Sequence, residues 1–265
     1  MVLKMRKTKN AEKIINLPGA SADQQAHGRS PKKGIYLLPN VLTTGALFAG
    51  FYAVLLGFGG RYDLAVIAIF TAMFFDGLDG RVARLTNTES DFGVQYDSLA
   101  DMVSFGIAPA IVSYAWGLSN LGKLGIAAAF IYASCAALRL ARFNVQSAQS
   151  DDKQFTGLPS PAAAALIAGF IGSVQGAQSQ FLYVIAALLT AVAGLLMVSN
   201  LKYPSFKDFD LRGKVPFVVI FSIAMVFVVI TIDPPRVLFL MAFVFAFFAP
   251  FKHLLANLRD LRKTQ

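Results

Sequence analysis

The sequence predicts an all-α integral membrane protein with about eight transmembrane helices, and three observations lead to this fold class. Of the 265 residues, 56% are hydrophobic and only 15% are charged, whereas a soluble domain carries about 25% charged residues. The mean hydropathy is +0.58, and the apolar residues form separate runs close to the ~20 residues that span a bilayer as a helix. The basic residues collect between alternate runs. This composition excludes an intrinsically disordered chain and disfavours a soluble enzyme.

Eight apolar runs follow the polar and basic residues 1–33. The fifth, seventh and eighth runs are short, so their borders can shift by several residues. Turn signals separate the runs at Gly59-Gly60, at 117–122 and at Asp233-Pro234-Pro235. The predicted helices cover 38–57, 62–84, 94–117, 121–143, 161–177, 180–199, 215–232 and 234–250.

The distribution of Lys and Arg predicts the orientation of these helices. If the N-terminus is cytoplasmic, 21 of the 24 basic residues lie in inner segments, and only Arg61, Lys123 and Arg236 lie in outer loops. This asymmetry follows the positive-inside rule, so both termini are expected in the cytoplasm. It also accounts for the net charge of +9 without nucleic acid as a partner. We therefore expect a disordered cytoplasmic arm (1–33), a transmembrane domain (34–251) and a basic cytoplasmic tail (252–265).

Cysteine and histidine are too scarce to carry the chemistry of this chain. One Cys excludes a disulfide framework and a Cys-based zinc site, and two His residues are too few for most zinc enzymes.

Four carboxylates are the strongest functional signal, because ionisable groups at membrane depth are costly. Asp76 and Asp79 come at the cytoplasmic end of the second predicted helix, and Asp97 and Asp101 come in the first turns of the third. The two helices form a hairpin through a loop at 85–92, so the four side chains are expected at the same depth, just inside the cytoplasmic leaflet.

Carboxylates that converge in this way repel one another unless something neutralises them. Arg81 and Arg84 can offset part of the charge, and an ion-paired hairpin without a ligand is the structural alternative. A divalent cation, or a pair, is the other solution. Hard oxygen ligands favour Mg²⁺ or Mn²⁺, and paired ions of this kind serve phosphoryl transfer.

The spacing of these residues resembles the CDP-alcohol phosphotransferase family. The family pattern is D-x2-D-G-x2-A-R-x8-G-x3-D-x3-D, and residues 76–101 contain every fixed position: Asp76, Asp79, Gly80, Ala83, Arg84, Gly93, Asp97 and Asp101. The resemblance implies that the four Asp residues hold two metal ions and that Asp101 is the catalytic base. It also implies that CDP is bound by Asp79, Gly80, Ala83, Arg84 and Gly93.

Four shorter segments point to one branch of this family. Residues 39–43 are similar to the start of the family's first helix, which adds Asn40 and Thr43 to the expected CDP site. Residues 97–106, 139–144 and 157–161 resemble the bacterial branch that uses serine. The implied reaction transfers the phosphatidyl group of CDP-diacylglycerol to L-serine, giving phosphatidylserine and CMP.

Five further polar residues are candidates for binding the acceptor or a lipid phosphate. Four of them have a structural alternative: a positive-inside anchor for Arg142, a helix cap for Asn144 (as for Asn40), and backbone hydrogen bonds within the helix for the two serines. The candidates are Arg142, Asn144, Ser98, Ser104 and Arg139.

Two other functions stay open at the level of sequence. Glycerol 3-phosphate or an inositol phosphate could replace serine as the acceptor, and a cation transporter could also place carboxylates in a membrane. The transporter hypothesis disagrees with the nearly uncharged outer halves of the predicted helices.

The expected location of the protein is the cell (inner) membrane, with the site near the cytoplasmic face. Family members are often homodimers, and small residues at 108–110 and 127–129 would permit close packing of a second copy.

Overall fold

The computed structural model describes most of the transmembrane region, within the compact unit formed by residues 33–265. The predicted arm and most of the seventh apolar run lie outside the described residues. The described residues are 37–86, 88, 90–147, 155–174, 176–177, 179–203, 221, 225 and 231–263.

Helices make up nearly all of the described structure. A π-helical turn (Met102–Ile107) joins α3 to α4, and a 3₁₀ turn (Leu118–Leu121) precedes α5. The elements in chain order are α1 (Leu37–Phe58), α2 (Tyr62–Thr86), α3 (Asp91–Asp101), α4 (Ala108–Trp116), α5 (Lys123–Ser147), β1 (Phe155–Thr156), α6 (Ser160–Ser173), α7 (Gln180–Val198), β2 (Lys202–Tyr203) and α8 (Pro234–Lys263).

The prediction of an all-α membrane protein is confirmed. Among the described residues, five helical segments are long and apolar enough to cross a bilayer: Leu38–Phe58, Asp91–Trp116, Lys123–Gln146, Gln180–Val198 and Pro234–His253. Large apolar side chains on these helices face outward, as expected in lipid; Phe48 and Phe130 are two examples. The total of eight helices and the cytoplasmic location of both termini remain predictions.

Several boundaries differ from those predicted. The loop between α2 and α3 is shorter than 85–92, because α2 continues to Thr86 and Ser90 caps α3 by accepting a hydrogen bond from the backbone N–H of Gly93 at 3.0 Å. The fifth run forms a helix of only 14 residues, α6. Helix α8 continues to Lys263 through most of the segment predicted as a tail.

Small residues allow the central helices to approach closely. A Cβ at Gly50 on α1 would lie 2.5 Å from Ser104 Oγ, and a Cβ at Gly169 on α6 would lie 2.8 Å from the Cα of Phe239 on α8. Only glycine fits at these two contacts, which is the usual way in which membrane helices gain packing energy.

A two-residue antiparallel ladder ties the chain before α6 to the chain after α7. Phe155 pairs with Tyr203, and Thr156 pairs with Lys202. Gly157 follows with φ +84°, and its N–H donates to the carbonyl of Leu201 at 2.9 Å. This ladder fixes the start of α6, which positions Ser160 against α5.

The same ladder supports a proline in α8. Pro250 lies inside this helix and has no N–H, so the carbonyl of Ala246, four residues earlier, loses its regular donor. The hydroxyl of Tyr203 donates to that carbonyl at 2.9 Å, and Tyr203 is buried. The C-terminal half of α8 is thereby attached to the same side of the molecule as Ser160.

Candidate active site

The predicted carboxylates lie on both sides of the α2–α3 loop. Asp76 and Asp79 are within the last three turns of α2, and Asp97 and Asp101 are within the first three turns of α3. Because the two helices meet at one short loop, these turns face each other at one end of the helical bundle.

Three of the four carboxylates converge on one point. Asp76, Asp97 and Asp101 each offer a carboxylate oxygen, and these oxygens all lie within 4.8 Å of one another. Asp76 and Asp101 face each other closely enough to share a hydrogen bond. The three side chains are partly buried, so water screens their repulsion only incompletely.

No arginine forms an ion pair with this cluster in the part of the chain that the structure describes. Within that part, the ion pair observed joins Arg236 to Asp233 at 2.9 Å, at the start of α8. Arg81 and Arg84 are exposed. The ion-paired hairpin is therefore not supported, and three carboxylates at this spacing without an ion-pair partner among the described residues are a suitable oxygen donor set for a divalent cation.

Asp79 occupies a separate position beside the cluster. It is buried, and its Oδ2 accepts a hydrogen bond from Thr43 Oγ1 at 2.7 Å. Thr43 Oγ1 also lies 3.1 Å from the carbonyl of Pro39. The hydroxyl therefore fixes the orientation of this carboxylate and does not cancel its charge.

A cavity of about 160 Å³ opens between α1, α2 and α3 next to the cluster. Every residue that the sequence assigned to CDP lines it, together with one cluster residue, Asp97. The lining residues are Asn40, Thr43, Asp79, Gly80, Ala83, Arg84, Gly93 and Asp97, with Pro39, Thr88, Ser90 and Val94.

Gly80 keeps this cavity open. A Cβ built at Gly80 would have no protein atom within 4 Å, so a side chain there would project into free space and would not meet a neighbouring helix. The small residue therefore leaves room for a ligand against the backbone of α2.

Four lining residues were not among the candidates from the sequence: Pro39, Thr88, Ser90 and Val94. Ser90 has a sequence signal, since a serine directly before a predicted helix is a preferred cap. Thr88 has none beyond its place in the loop; it is buried, and its hydroxyl lies 2.7 Å from that of Thr86.

Ser98 and Asn144 lie apart from the carboxylates. Ser98 Oγ donates to Asn144 Oδ1 at 3.0 Å, and both residues line a different cavity of about 270 Å³ between α3 and α5. Ser104 is buried and donates to the carbonyl of Ala46 on α1 at 3.0 Å. These three candidates therefore join helices to one another, and their assignment to the acceptor stays a prediction.

The two arginines of α5 differ in their surroundings. Arg142 is directed to the end of α7, where Nη2 donates to Asn200 Oδ1 at 2.8 Å and Nη1 lies 3.4 Å from the carbonyl of Val198. Arg139 lies one turn earlier and interacts electrostatically with Asp101.

One N–H donor of Arg139 has no hydrogen-bond partner among the described residues. Its Nη1 donates to Ser160 Oγ at 3.0 Å, whereas its Nε is buried and has no hydrogen-bond partner among the residues described. A buried guanidinium N–H without a partner is rare, because desolvation without a hydrogen bond is costly.

Comparison with known proteins gives consistent results. Residues 36–198 match the model of the CDP-alcohol phosphatidyltransferase family. The chain is 36% identical over 204 residues to a CDP-diacylglycerol–serine O-phosphatidyltransferase of Helicobacter pylori, covering 75% of this chain and 84% of the relative. A protein of the same name from Methanocaldococcus jannaschii is 37% identical over 186 residues (70% and 82%). An archaetidylserine synthase of Methanothermobacter thermautotrophicus is 37% identical over 169 residues (63% and 69%).

Proposed function

Because the chain belongs to the CDP-alcohol phosphatidyltransferase family, we propose that it transfers the phosphatidyl group of CDP-diacylglycerol to L-serine, giving phosphatidylserine and CMP. The observation that carries this proposal is the cluster of Asp76, Asp97 and Asp101 beside a cavity lined by the residues expected to bind CDP. The names of the relatives support the same donor and the same acceptor.

A divalent metal fits this site. Asp76, Asp97 and Asp101 would hold it, with Asp79 as a further ligand for a second ion, and the hard oxygen donors favour Mg²⁺ or Mn²⁺. When bound, such ions neutralise the charge of phosphate oxygens in phosphoryl transfer.

Residues of the chain itself would bind the donor substrate and accept the proton of the acceptor. Residues of the cavity bind the CDP portion of the donor, and Thr43 holds Asp79 in a fixed orientation beside it. Asp101 accepts the proton of the serine hydroxyl. The serine oxygen forms a bond to the phosphorus that carries diacylglycerol, and the bond from that phosphorus to CMP breaks.

Arg139 is the residue best placed to bind the carboxylate of serine. Its Nε is a buried donor without a partner among the described residues, and the side chain interacts electrostatically with Asp101. A carboxylate bound at this guanidinium would bring the hydroxyl of the same small molecule towards the base. Arg142 is less suitable, because its guanidinium already contacts the end of α7.

The depth of the site suits substrates of mixed polarity. The carboxylates of α2 follow an apolar stretch of that helix, and those of α3 precede the apolar π turn and α4, so acyl chains can stay in lipid while the nucleotide and serine approach from water. The positive-inside pattern supports the cytoplasmic face of the cell membrane as the location.

A comparison of acceptors tests this proposal. Purified protein in detergent or liposomes receives CDP-diacylglycerol, Mn²⁺ and one labelled acceptor at a time: serine, glycerol 3-phosphate or inositol phosphate. We expect labelled lipid and an equal amount of CMP with serine alone. Lipid labelled by a phosphorylated acceptor would overturn the choice of serine. Cation flux in liposomes without CMP release would overturn the assignment of the protein as an enzyme.

A further inference from the structure

A π-helical turn follows Asp101 directly. It covers Met102–Ile107, and the N–H of Ala108 donates to the carbonyl of Val103, five residues earlier. A π turn accommodates one residue more than a regular α-helical turn; such turns are rare and frequently occur at functional sites. Because the turn directly follows Asp101, the candidate base, it affects the direction in which the side chains of Asp97 and Asp101 point.

The extra residue changes how the two ends of this helix face α1. A Cβ at Gly93 would lie 3.7 Å from Asn40 Oδ1, and a Cβ at Gly57 would lie 3.2 Å from Val112 Cγ2. Gly93 and Val112 are 19 positions apart, which in a regular α-helix amounts to five turns and about a further 100°. One additional residue in the π turn removes this difference of about 100°, so both ends contact α1.

The carboxylates depend on the same rotation. The turns of α3 that carry Asp97 and Asp101 face Asp76 on α2, while α4 packs on α1 through Val112. Without the extra residue, a helix that kept the α4 packing would turn the carboxylates away from Asp76.

Two hydroxyl groups hold the π turn from neighbouring helices. Tyr132 on α5 is fully buried, and its Oη donates to the carbonyl of Phe105 at 2.8 Å. Ser104 Oγ donates to the carbonyl of Ala46 on α1 at 3.0 Å. Inside the bilayer no water is available to stabilise the carbonyls of an irregular turn, so the bond from Tyr132 to the carbonyl of Phe105 matters more than it would at a surface. The bond from Ser104 attaches the turn to α1.

We infer that the π turn sets the rotation of the carboxylate-bearing turns of α3, and that Tyr132 is the positioning residue that holds it. Tyr132 does not contact the donor cavity, so it acts on Asp101 through the backbone of the turn. The kinetic test of this inference rests on the proposed function. The measurement of metal affinity is independent of it, because it needs no substrate.

The test compares Tyr132→Phe with a matched control, Tyr62→Phe. Tyr62 also donates to a backbone carbonyl of the same continuous helix, that of Ala115 at 2.8 Å, but it lies about 21 Å from Asp76 along α2. Both variants lose one hydroxyl and one hydrogen bond. The measurements are kcat, KM for CDP-diacylglycerol at saturating Mn²⁺, and Mn²⁺ affinity by electron paramagnetic resonance without substrate.

We expect Tyr132→Phe to lower kcat by about 10-fold or more, because small displacements of catalytic groups are costly, and to weaken Mn²⁺ binding several-fold. Its KM for CDP-diacylglycerol stays within about twofold of wild type, because its own contacts are outside the donor cavity. Tyr62→Phe keeps wild-type values in all three measurements. Ser104→Ala, which removes the second bond to the turn, is expected to repeat the pattern of Tyr132→Phe if that variant does not fold.

An active wild type in which Tyr132→Phe and Ser104→Ala both match Tyr62→Phe would overturn the inference. A wild type that releases no CMP from CDP-diacylglycerol would instead overturn the proposed function. In that case the difference in Mn²⁺ affinity between the variants would still decide whether the π turn positions the carboxylates.

Discussion

Thr43 on α1 donates a hydrogen bond of 2.7 Å to the carboxylate of Asp79 on α2, and both residues line the cavity beside the carboxylate cluster. The two positions are 36 residues apart in sequence. The bond joins the first two helices at the place where the donor substrate is expected, and it gives the buried Asp79 a fixed orientation. The cavity therefore depends on α1 as much as on the helices that carry the Asp pattern.

Replacement of Thr43 by Val tests this dependence. A hydrogen bond to a charged group contributes about 1.5–3 kcal/mol, so we expect kcat/KM for CDP-diacylglycerol to fall by about 10-fold or more. Thr71→Val is the control, because Thr71 is exposed on α2 and, among the described residues, its hydroxyl bonds only to the carbonyl of Ile67 in its own helix. Equal kinetics for the two variants would show that the Thr43–Asp79 bond does not serve the donor site.

The two arginines of α5 are expected to respond differently to substitution. Arg139→Gln removes the buried donor near Asp101 and should raise KM for serine by about 10-fold or more, as expected for loss of a charge-assisted bond. Arg142→Gln removes contacts to the end of α7 and should lower thermal stability while KM for serine changes little. The opposite assignment of the two effects would make Arg142 the acceptor residue.

Removal of divalent metal should abolish CMP release without unfolding the protein. Chelation with EDTA leaves Asp76, Asp97 and Asp101 uncompensated, and we expect Mn²⁺ or Mg²⁺ to restore activity because both prefer carboxylate oxygens. Asp76→Asn should raise the Mn²⁺ concentration needed for half-maximal rate. Full activity in EDTA would contradict the metal site.

The bond between Tyr203 and Ala246 can be tested by a double-mutant cycle with Pro250. Tyr203→Phe leaves the carbonyl of Ala246 without its donor and should lower stability by about 1–3 kcal/mol, the cost of an unsatisfied buried group. Pro250→Ala restores an N–H four residues after that carbonyl, so the same tyrosine substitution should cost less in this background. Strictly additive losses in thermal or denaturant unfolding would contradict the coupling.

Much of the fold and the carboxylate hairpin could be predicted from sequence, because hydropathy and charge respond directly to the bilayer. The runs at 38–57, 62–84 and 180–199 agree closely with α1, α2 and α7. The four Asp residues were recognisable because so few charged residues occur at membrane depth.

The π turn could not be predicted, because Met102–Ile107 is an apolar stretch like any other in a membrane helix. Its geometry comes from packing against Ala46 and Tyr132, which are far away in sequence. The ladder between β1 and β2 was missed for a related reason, since two residues on each side give no alternating pattern.

The acceptor residues were the least predictable part of the candidate site. Ser98 directly follows Asp97 in the sequence, but successive residues of a helix point about 100° apart, so Ser98 faces α5 and Asn144. Arg139 and Arg142 share one helical face, and only the positions of Asp101 and α7 distinguish their surroundings.

The most direct measurement is the incorporation of labelled serine into lipid from CDP-diacylglycerol, with the release of CMP, by wild type, Asp101→Asn and Asp91→Asn. Asp91 is an exposed residue of the first turn of α3 and serves as the matched control. Wild type and Asp91→Asn are expected to form phosphatidylserine and CMP in equal amounts, whereas Asp101→Asn stays folded and loses about 10²-fold or more of kcat, as expected for loss of a general base. Wild-type turnover by a folded Asp101→Asn protein would contradict the assignment of Asp101, and absence of serine incorporation by the wild type would contradict the proposed reaction.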